Sequence, residues 1–217
     1  DEDPLVDIVL RRLAGAGVRE VIVNTHHHAA MLEEHLRLHS PPGLRVEFSH
    51  EDVLLDTGGG LLQAAWFFDD GEPFFLHNAD VVSGVDLEAL ARMQRQTGAL
   101  AVLSVRSRLA SRRFLFDAEA GLCGWENTAT GECAWAAGPV EGAAALGFDG
   151  IQVIDPRIFS KLTESGPFSL TRAYLRLAGA GERILACRGD AAYWADIGTA
   201  AKLAAVERHV AASGLPV

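Results

Sequence analysis

Pro73-Phe74-Phe75-Leu76-His77-Asn78-Ala79-Asp80-Val81-Val82-Ser83-Gly84-Val85-Asp86 is the stretch that decides the fold. The apolar run 74–76 follows a Gly71-Glu72-Pro73 turn signal and predicts a strand buried on both faces, the state of a central strand in a parallel sheet. Polarity then changes at once, through His77 and Asn78 to Asp80. A carboxylate directly after a buried strand sits at the strand's C-terminal end, the edge where open α/β sheets bind ligands. Asp80 therefore either holds a divalent cation, since hard cations take carboxylate oxygen, or caps a turn.

The flanks extend the same pattern. Asp3-Pro4 is a helix start, with proline at the first helical position. Leu5, Ile8, Val9, Leu13 and Ala16 share one helical face, and Gly17 ends that helix. A strand follows over 18–24, a helix over 29–38, and a strand over 44–50 after the Pro41-Pro42-Gly43 breaker. Beyond Asp86, the predicted elements are a helix over 87–97 closed by Gly98 and a strand over 100–105. An irregular segment over 106–138 holds short strands near 113–116 and 122–125. Then come a strand over 146–154, a short helix after Asp155-Pro156, a helix over 170–178 capped by Ser169, and a strand over 184–187. A last helix from Ala200 is capped by Thr199. Helices alternating with strands at this spacing predict βαβ units, a mostly parallel central sheet and a small antiparallel excursion.

The chain has 217 residues, 49% hydrophobic and 22% charged, as expected of one globular domain with its own core. A formal charge of −10 argues against the basic face that nucleic acid or an anionic membrane requires, while a metal or a local basic loop would still let the chain bind phosphates. Cys123, Cys133 and Cys187 fit no metal spacing and predict free thiols in a reducing compartment, the cytoplasm. No apolar run is long enough to span a bilayer.

Three further features bear on chemistry. His26, His27 and His28 are consecutive loop residues whose side chains point in different directions, which favours a polar loop over a metal site. Asp56-Thr57-Gly58-Gly59-Gly60 opens a helix running to about residue 67, with Thr57 as its N-cap. Three glycines at a solvent-facing helix start offer backbone N–H groups to a ligand and let it approach the main chain. The spacing is neither G-x-G-x-x-G nor a P-loop. Finally, Asp196 lies on a short aromatic segment before the last helix. It is either the second carboxylate of a metal site, where Mg²⁺ takes one or two protein carboxylates and leaves the rest to water and phosphate, or a buried turn residue.

Five short motifs occur in a fixed order: Val23-Asn24-Thr25-His26-His27, Leu55-Asp56-Thr57-Gly58-Gly59-Gly60, Asn78-Ala79-Asp80, Phe148-Asp149-Gly150-Ile151 and Trp194-Ala195-Asp196-Ile197-Gly198-Thr199. With them the chain resembles the sugar nucleotidyltransferases, the nucleoside-diphosphate-sugar pyrophosphorylases. It is most similar to the branch holding N-acetylmuramate 1-phosphate uridylyltransferase and mannose 1-phosphate guanylyltransferase-like proteins. The resemblance implies a Rossmann-like three-layer α/β fold. It implies a Mg²⁺-dependent reaction of a nucleoside triphosphate with a sugar 1-phosphate, UTP with an amino-sugar or hexose 1-phosphate, serving cell-wall or capsule precursors. Asp80 and Asp196 would be the catalytic carboxylates holding Mg²⁺. Thr57, Gly58, Gly59 and Asn78 would meet the nucleotide, with Thr57 and the glycines reading the base through the main chain. Gly147 and Asp149 would lie near the sugar. The oligomeric state stays open, a homo-oligomer included.

One departure stands out. The family opens with a strand and a glycine-rich loop carrying an arginine, then a lysine, which wraps the triphosphate. Asp1 matches the family just after that segment, and the lysines here are Lys161 and Lys202. The expectation is a single nucleotidyltransferase domain over 1–217 apparently lacking that strand and loop. Two readings stay beside catalysis: a non-catalytic sugar-nucleotide-binding relative, and a metal-dependent glycosyltransferase using Asp80.

Overall fold

The structure is a computed structural model, and it describes residues 4–198 and 200–213. In chain order its elements begin with α1 (Leu5–Gly15), β1 (Glu20–Thr25), α2 (Ala29–His39), β2 (Arg45–His50) and α3 (Asp56–Gln63). Next come β3 (Phe74–His77), β4 (Val81–Ser83), α4 (Leu87–Thr97), β5 (Ala101–Arg106), β6 (Arg112–Phe116) and β7 (Leu122–Asn127). The rest are β8 (Glu132–Trp135), β9 (Ala144–Ile154), α5 (Leu170–Gly179), β10 (Ile184–Arg188), β11 (Trp194–Asp196) and α6 (Ala200–Ser213). The caps expected at Asp3 and Thr199 fall outside the described residues.

These elements form two compact units. The first holds the described residues up to Leu55, the segment Asn78–Val85 and those from Ala192 onward. In it β1 and β2 run parallel, from Glu20 opposite Arg45 to Thr25 opposite His50. The crossover helix α2 makes that direction possible, since parallel neighbours need a long connection. On α1, Val9, Leu10 and Leu13 are buried, Leu5 and Ile8 are half-buried and Ala16 is exposed, so the buried stripe keeps Val9 and Leu13 of the expected face and turns towards Leu10. Asp7 is buried beside them, its carboxylate 2.9 Å from His35 Nε2. The strands β4 and β11 form a separate antiparallel ladder in which Asp196 faces Val81, Ala195 faces Val82 and Trp194 faces Ser83. Neither strand stands out in the sequence, because three residues are too few to show a period.

The second unit holds Asp56–His77 and Asp86–Ala191. Its seven-stranded sheet runs β10-β5-β9-β6-β7-β8, and β3 also pairs with β9. Only β10 and β5 are parallel there; β9 is antiparallel to β3, β5 and β6. The sheet is thus mixed, which corrects the mostly parallel sheet expected from the sequence. The cause lies in the connections: β6, β7, β8 and β9 follow one another through short links without a helix, and each such return reverses the strand direction. Strand β9 is also long enough to pair with β6 through its first half and with β3 and β5 through its second.

The core of this unit gathers Leu103 and Val105 of β5, Ile154 of β9, and Tyr174 and Leu177 of α5. Tyr174 is fully buried and donates to Gln152 Oε1 at 2.8 Å, and burial pushes its hydroxyl pKa up. By contrast Phe74, Phe75 and Leu76 are half-buried, and among the described residues β3 pairs with β9 alone. The expectation of a strand buried on both faces is corrected accordingly.

Candidate functional site

Asp80 and Asp196, the two acids singled out in the sequence, belong to the same unit, and their backbones are joined at one ladder. Asp196 ends β11 opposite Val81, and the next residue, Ile197, donates its N–H to the Asp80 carbonyl at 2.8 Å. Asp80 and Asp196 therefore occupy neighbouring rungs although they lie far apart in the chain. The register is fixed from the other end by Tyr193, whose carbonyl accepts from Gly84 N at 2.9 Å and from Ser83 Oγ at 3.1 Å. Val81, Val82 and Ser83 are all buried, so the ladder rests on a firm base, while Asp80 is exposed and Asp196 half-exposed at its end. Asn78 precedes them on the turn, accepting Val81 N at 3.2 Å through its carbonyl.

The donor set suits a hard cation. It consists of two carboxylates, and no group of three or more His, Cys, Asp or Glu is placed to hold a metal among the described residues. Mg²⁺ accepts such a sparse oxygen set because water and substrate phosphate complete its shell. A zinc-type site would need three or four N or S ligands. The histidines do not gather into one: His26 Nδ1 lies 2.7 Å from the Glu51 carbonyl, and His27 and His28 contact each other edge to face.

In this same unit Glu51 is a residue that sequence reasoning missed. It is buried at 3% exposure, accepts Leu55 N at 2.9 Å through Oε2, and bonds the Asn24 side chain through Oε1. Its own N–H donates to the Thr25 carbonyl at 2.8 Å. This carboxylate thereby fastens the loop after β2 to the end of β1. The available signal was an acid pair, Glu51-Asp52, after a strand of mixed polarity, too common to mark.

The glycine segment lies in the other unit and differs from expectation. Gly58, Gly59 and Gly60 are buried, which corrects the solvent-facing helix start. The N–H groups of Gly58 and Gly59 both point to the Phe168 carbonyl, at 2.9 and 3.3 Å. A Cβ on Gly58 would lie 2.2 Å from Phe168 Cε2, so this glycine makes room for that ring. Thr57 does not cap its own helix; its hydroxyl accepts Leu170 N at 3.2 Å, while Asp56 Oδ1 accepts Thr57 N at 2.6 Å. Asp56 takes a left-handed φ of 59°, and Asp56 and Thr57 are the exposed part of the turn.

Gly147 and Asp149 lie on β9 in this same unit. Asp149 is 0% exposed and accepts Arg106 Nε at 2.7 Å, Arg106 Nη2 at 3.1 Å and Ser104 Oγ at 2.8 Å. Its carboxylate is closed from solvent and holds strands β5 and β9 together. Gly147 faces Arg106 in the ladder and lies under Arg108, whose Nε would be 2.7 Å from a Cβ at that position. Arg108 also donates to the Phe148 carbonyl at 2.9 Å.

Comparison with known proteins places these motifs in context. Residues 1–114 match the family model described as nucleotidyl transferase. The chain is 31% identical over 189 residues to N-acetylmuramate alpha-1-phosphate uridylyltransferase of Caulobacter vibrioides, covering 82% of this chain and 72% of that protein. It is 33% identical over 96 residues to mannose-1-phosphate guanylyltransferase of Mycobacterium tuberculosis, a match spanning 26% of that protein. Among solved structures, UDP-glucose pyrophosphorylase from Acinetobacter baumanii aligns with a TM-score of 0.77 at 18% identity, over 99% of this chain and 85% of that one. HddC from Yersinia pseudotuberculosis complexed with GMP-PN aligns with a TM-score of 0.71 at 17% identity, over 95% and 86%. At such identities the structural likeness speaks for the fold alone.

Proposed function

We propose that this chain, which belongs to the nucleotidyl transferase family and within it to the sugar 1-phosphate nucleotidyltransferases, joins UTP to an amino-sugar or hexose 1-phosphate with release of pyrophosphate, and depends on Mg²⁺. The observation that carries the proposal is the β4–β11 register, which sets Asp80 and Asp196 on neighbouring rungs of one ladder. The uridylyl choice and the amino sugar are supported by the Caulobacter vibrioides relative, a uridylyltransferase acting on N-acetylmuramate 1-phosphate by its name.

Asp80 and Asp196 would hold Mg²⁺, which when bound supplies charge neutralisation on the phosphates. The chain's own residues do the positioning. The buried strand β4 keeps the Asp80 end of the ladder from shifting, and Tyr193 pins the opposite end. Asn78, exposed on the turn before β4, would meet the nucleotide. For the base, the exposed Asp56 and Thr57 are the reachable part of the glycine turn, while Gly58 and Gly59 keep that turn shaped through Phe168. Gly147 with Arg108 over it offers a cationic edge to a sugar phosphate, and Asp149 acts behind it by holding Arg106.

The test is pyrophosphate release from each nucleoside triphosphate in turn, with a panel of sugar 1-phosphates and Mg²⁺. UTP with one of the amino-sugar or hexose phosphates is expected to give the highest kcat/KM. Sugar transfer from a finished nucleotide sugar to an acceptor, with no pyrophosphate formed from any triphosphate, would overturn the proposal.

A further inference from the structure

Lys202 stands in the first turn of α6, a turn without an acidic residue. A cation there faces the positive end of the helix dipole, where anions are favoured. The residue thus sits against its local electrostatic preference, and breaks of this kind concentrate at functional sites. Its compensation comes from outside the helix: the ammonium is paired with Asp196 Oδ1. That is the carboxylate at the end of β11, one rung from Asp80. Lys202 and Asp196 belong to the same unit, so the pairing is a property of that unit alone.

We propose that Lys202 is the resident countercharge of Asp196, which a divalent cation must displace in order to bind. The inference rests on the metal reading of Asp80 and Asp196. Two properties of the pair favour exchange over a fixed structural bridge. The side chains are 51% and 29% exposed, so water screens the pair and solvates each partner once they separate. In contrast, a fully buried pair would leave an uncompensated charge on opening. Lysine's flexible four-carbon stem also lets its ammonium leave without moving the helix. The lysine keeps the carboxylate aimed and neutralised while no metal is bound, and it lowers the protein's affinity for the free ion.

The experiment measures Mn²⁺ alone, without nucleotide, by the electron paramagnetic resonance signal of the free ion. Lys202→Met is expected to bind Mn²⁺ about two- to five-fold more tightly than the wild type, the span that an exposed pair can contribute. Lys202→Arg keeps the pair and is expected to match the wild type. Asp196→Asn is expected to lose Mn²⁺ binding in both backgrounds, so that removing Lys202 no longer gains anything. Circular dichroism melts confirm that each variant is folded. If Lys202→Met binds Mn²⁺ no better than the wild type while Asp196→Asn still loses it, the exchange is wrong and the metal reading stands. If neither Asp80→Asn nor Asp196→Asn changes Mn²⁺ binding, both are wrong.

Discussion

Replacing Gly58 with alanine separates a packing role for the glycine turn from a ligand role. The added Cβ would sit 2.2 Å from Phe168 Cε2, 2.4 Å from Cδ2 and 2.8 Å from the Phe168 carbonyl oxygen. The ring can swing aside, but the carbonyl is held by two N–H donors, Gly58 at 2.9 Å and Gly59 at 3.3 Å. Relief therefore has to stretch the backbone contact as well as shift the ring. Overpacking of this kind costs about 1–3 kcal/mol, and weakening one of the two hydrogen bonds adds about 1 kcal/mol. Alanine's better helix propensity offsets up to about 1 kcal/mol of that. The net expectation is a loss of about 1–4 kcal/mol, read as a lower urea midpoint at constant m-value. The double variant with Phe168→Ala should recover part of it, with a coupling of at least about 1 kcal/mol. A Gly58→Ala protein within about 0.5 kcal/mol of the wild type, or one whose effect simply adds to that of Phe168→Ala, would refute the packing role.

Two other outcomes follow from buried and paired carboxylates. Asp149→Asn should cost about 3–5 kcal/mol, because Arg106 is left without its buried countercharge, and joint replacement of Arg106 and Asp149 by apolar residues should restore most of it in the same urea titration. Asp190, whose pKa is held down to about 2 by the Arg188 guanidinium and by Ser107 N–H, should stabilise the fold above the unfolded carboxyl value near 3.9 and lose that effect as pH falls through about 2. The stability gap between wild type and Asp190→Asn should then narrow from about pH 5 downward and close only below about pH 2. The gap at pH 5 should stay below about 1 kcal/mol, because solvent screens this exposed pair.

The sequence is most informative where structure is local. Asp86, the helix over 87–97 and Gly98 are all as expected, since each signal acts within one turn: Asp86 Oδ1 accepts Ala89 N at 2.9 Å, and Gly98 takes a φ of 60°. Ser169 likewise caps α5, its hydroxyl accepting Thr171 N at 3.3 Å. The direction of β9 is not local. Its apolar run fits a parallel or an antiparallel neighbour equally well, and only the missing helices in the preceding links separate the two. Strands β4, β8 and β11, of three or four residues, are too short for any periodicity to register.

The site divides along the same line. Asp80 and Asp196 can be picked out as carboxylates beside apolar segments, because residue type and flanking pattern suffice for that. Their pairing depends on a register between segments more than a hundred residues apart, and no spacing rule carries such a register. The glycine turn shows the reverse case. Its residue types suggest free N–H groups, yet whether an N–H is free depends on which distant carbonyl reaches it. Here Phe168 does for Gly58 and Gly59, and Gly58 becomes a packing device. A glycine run at a helix start therefore counts as a ligand site only after its amide partners are known, and a carboxylate at a ladder end only after its side-chain partners are known, as Lys202 beside Asp196 shows.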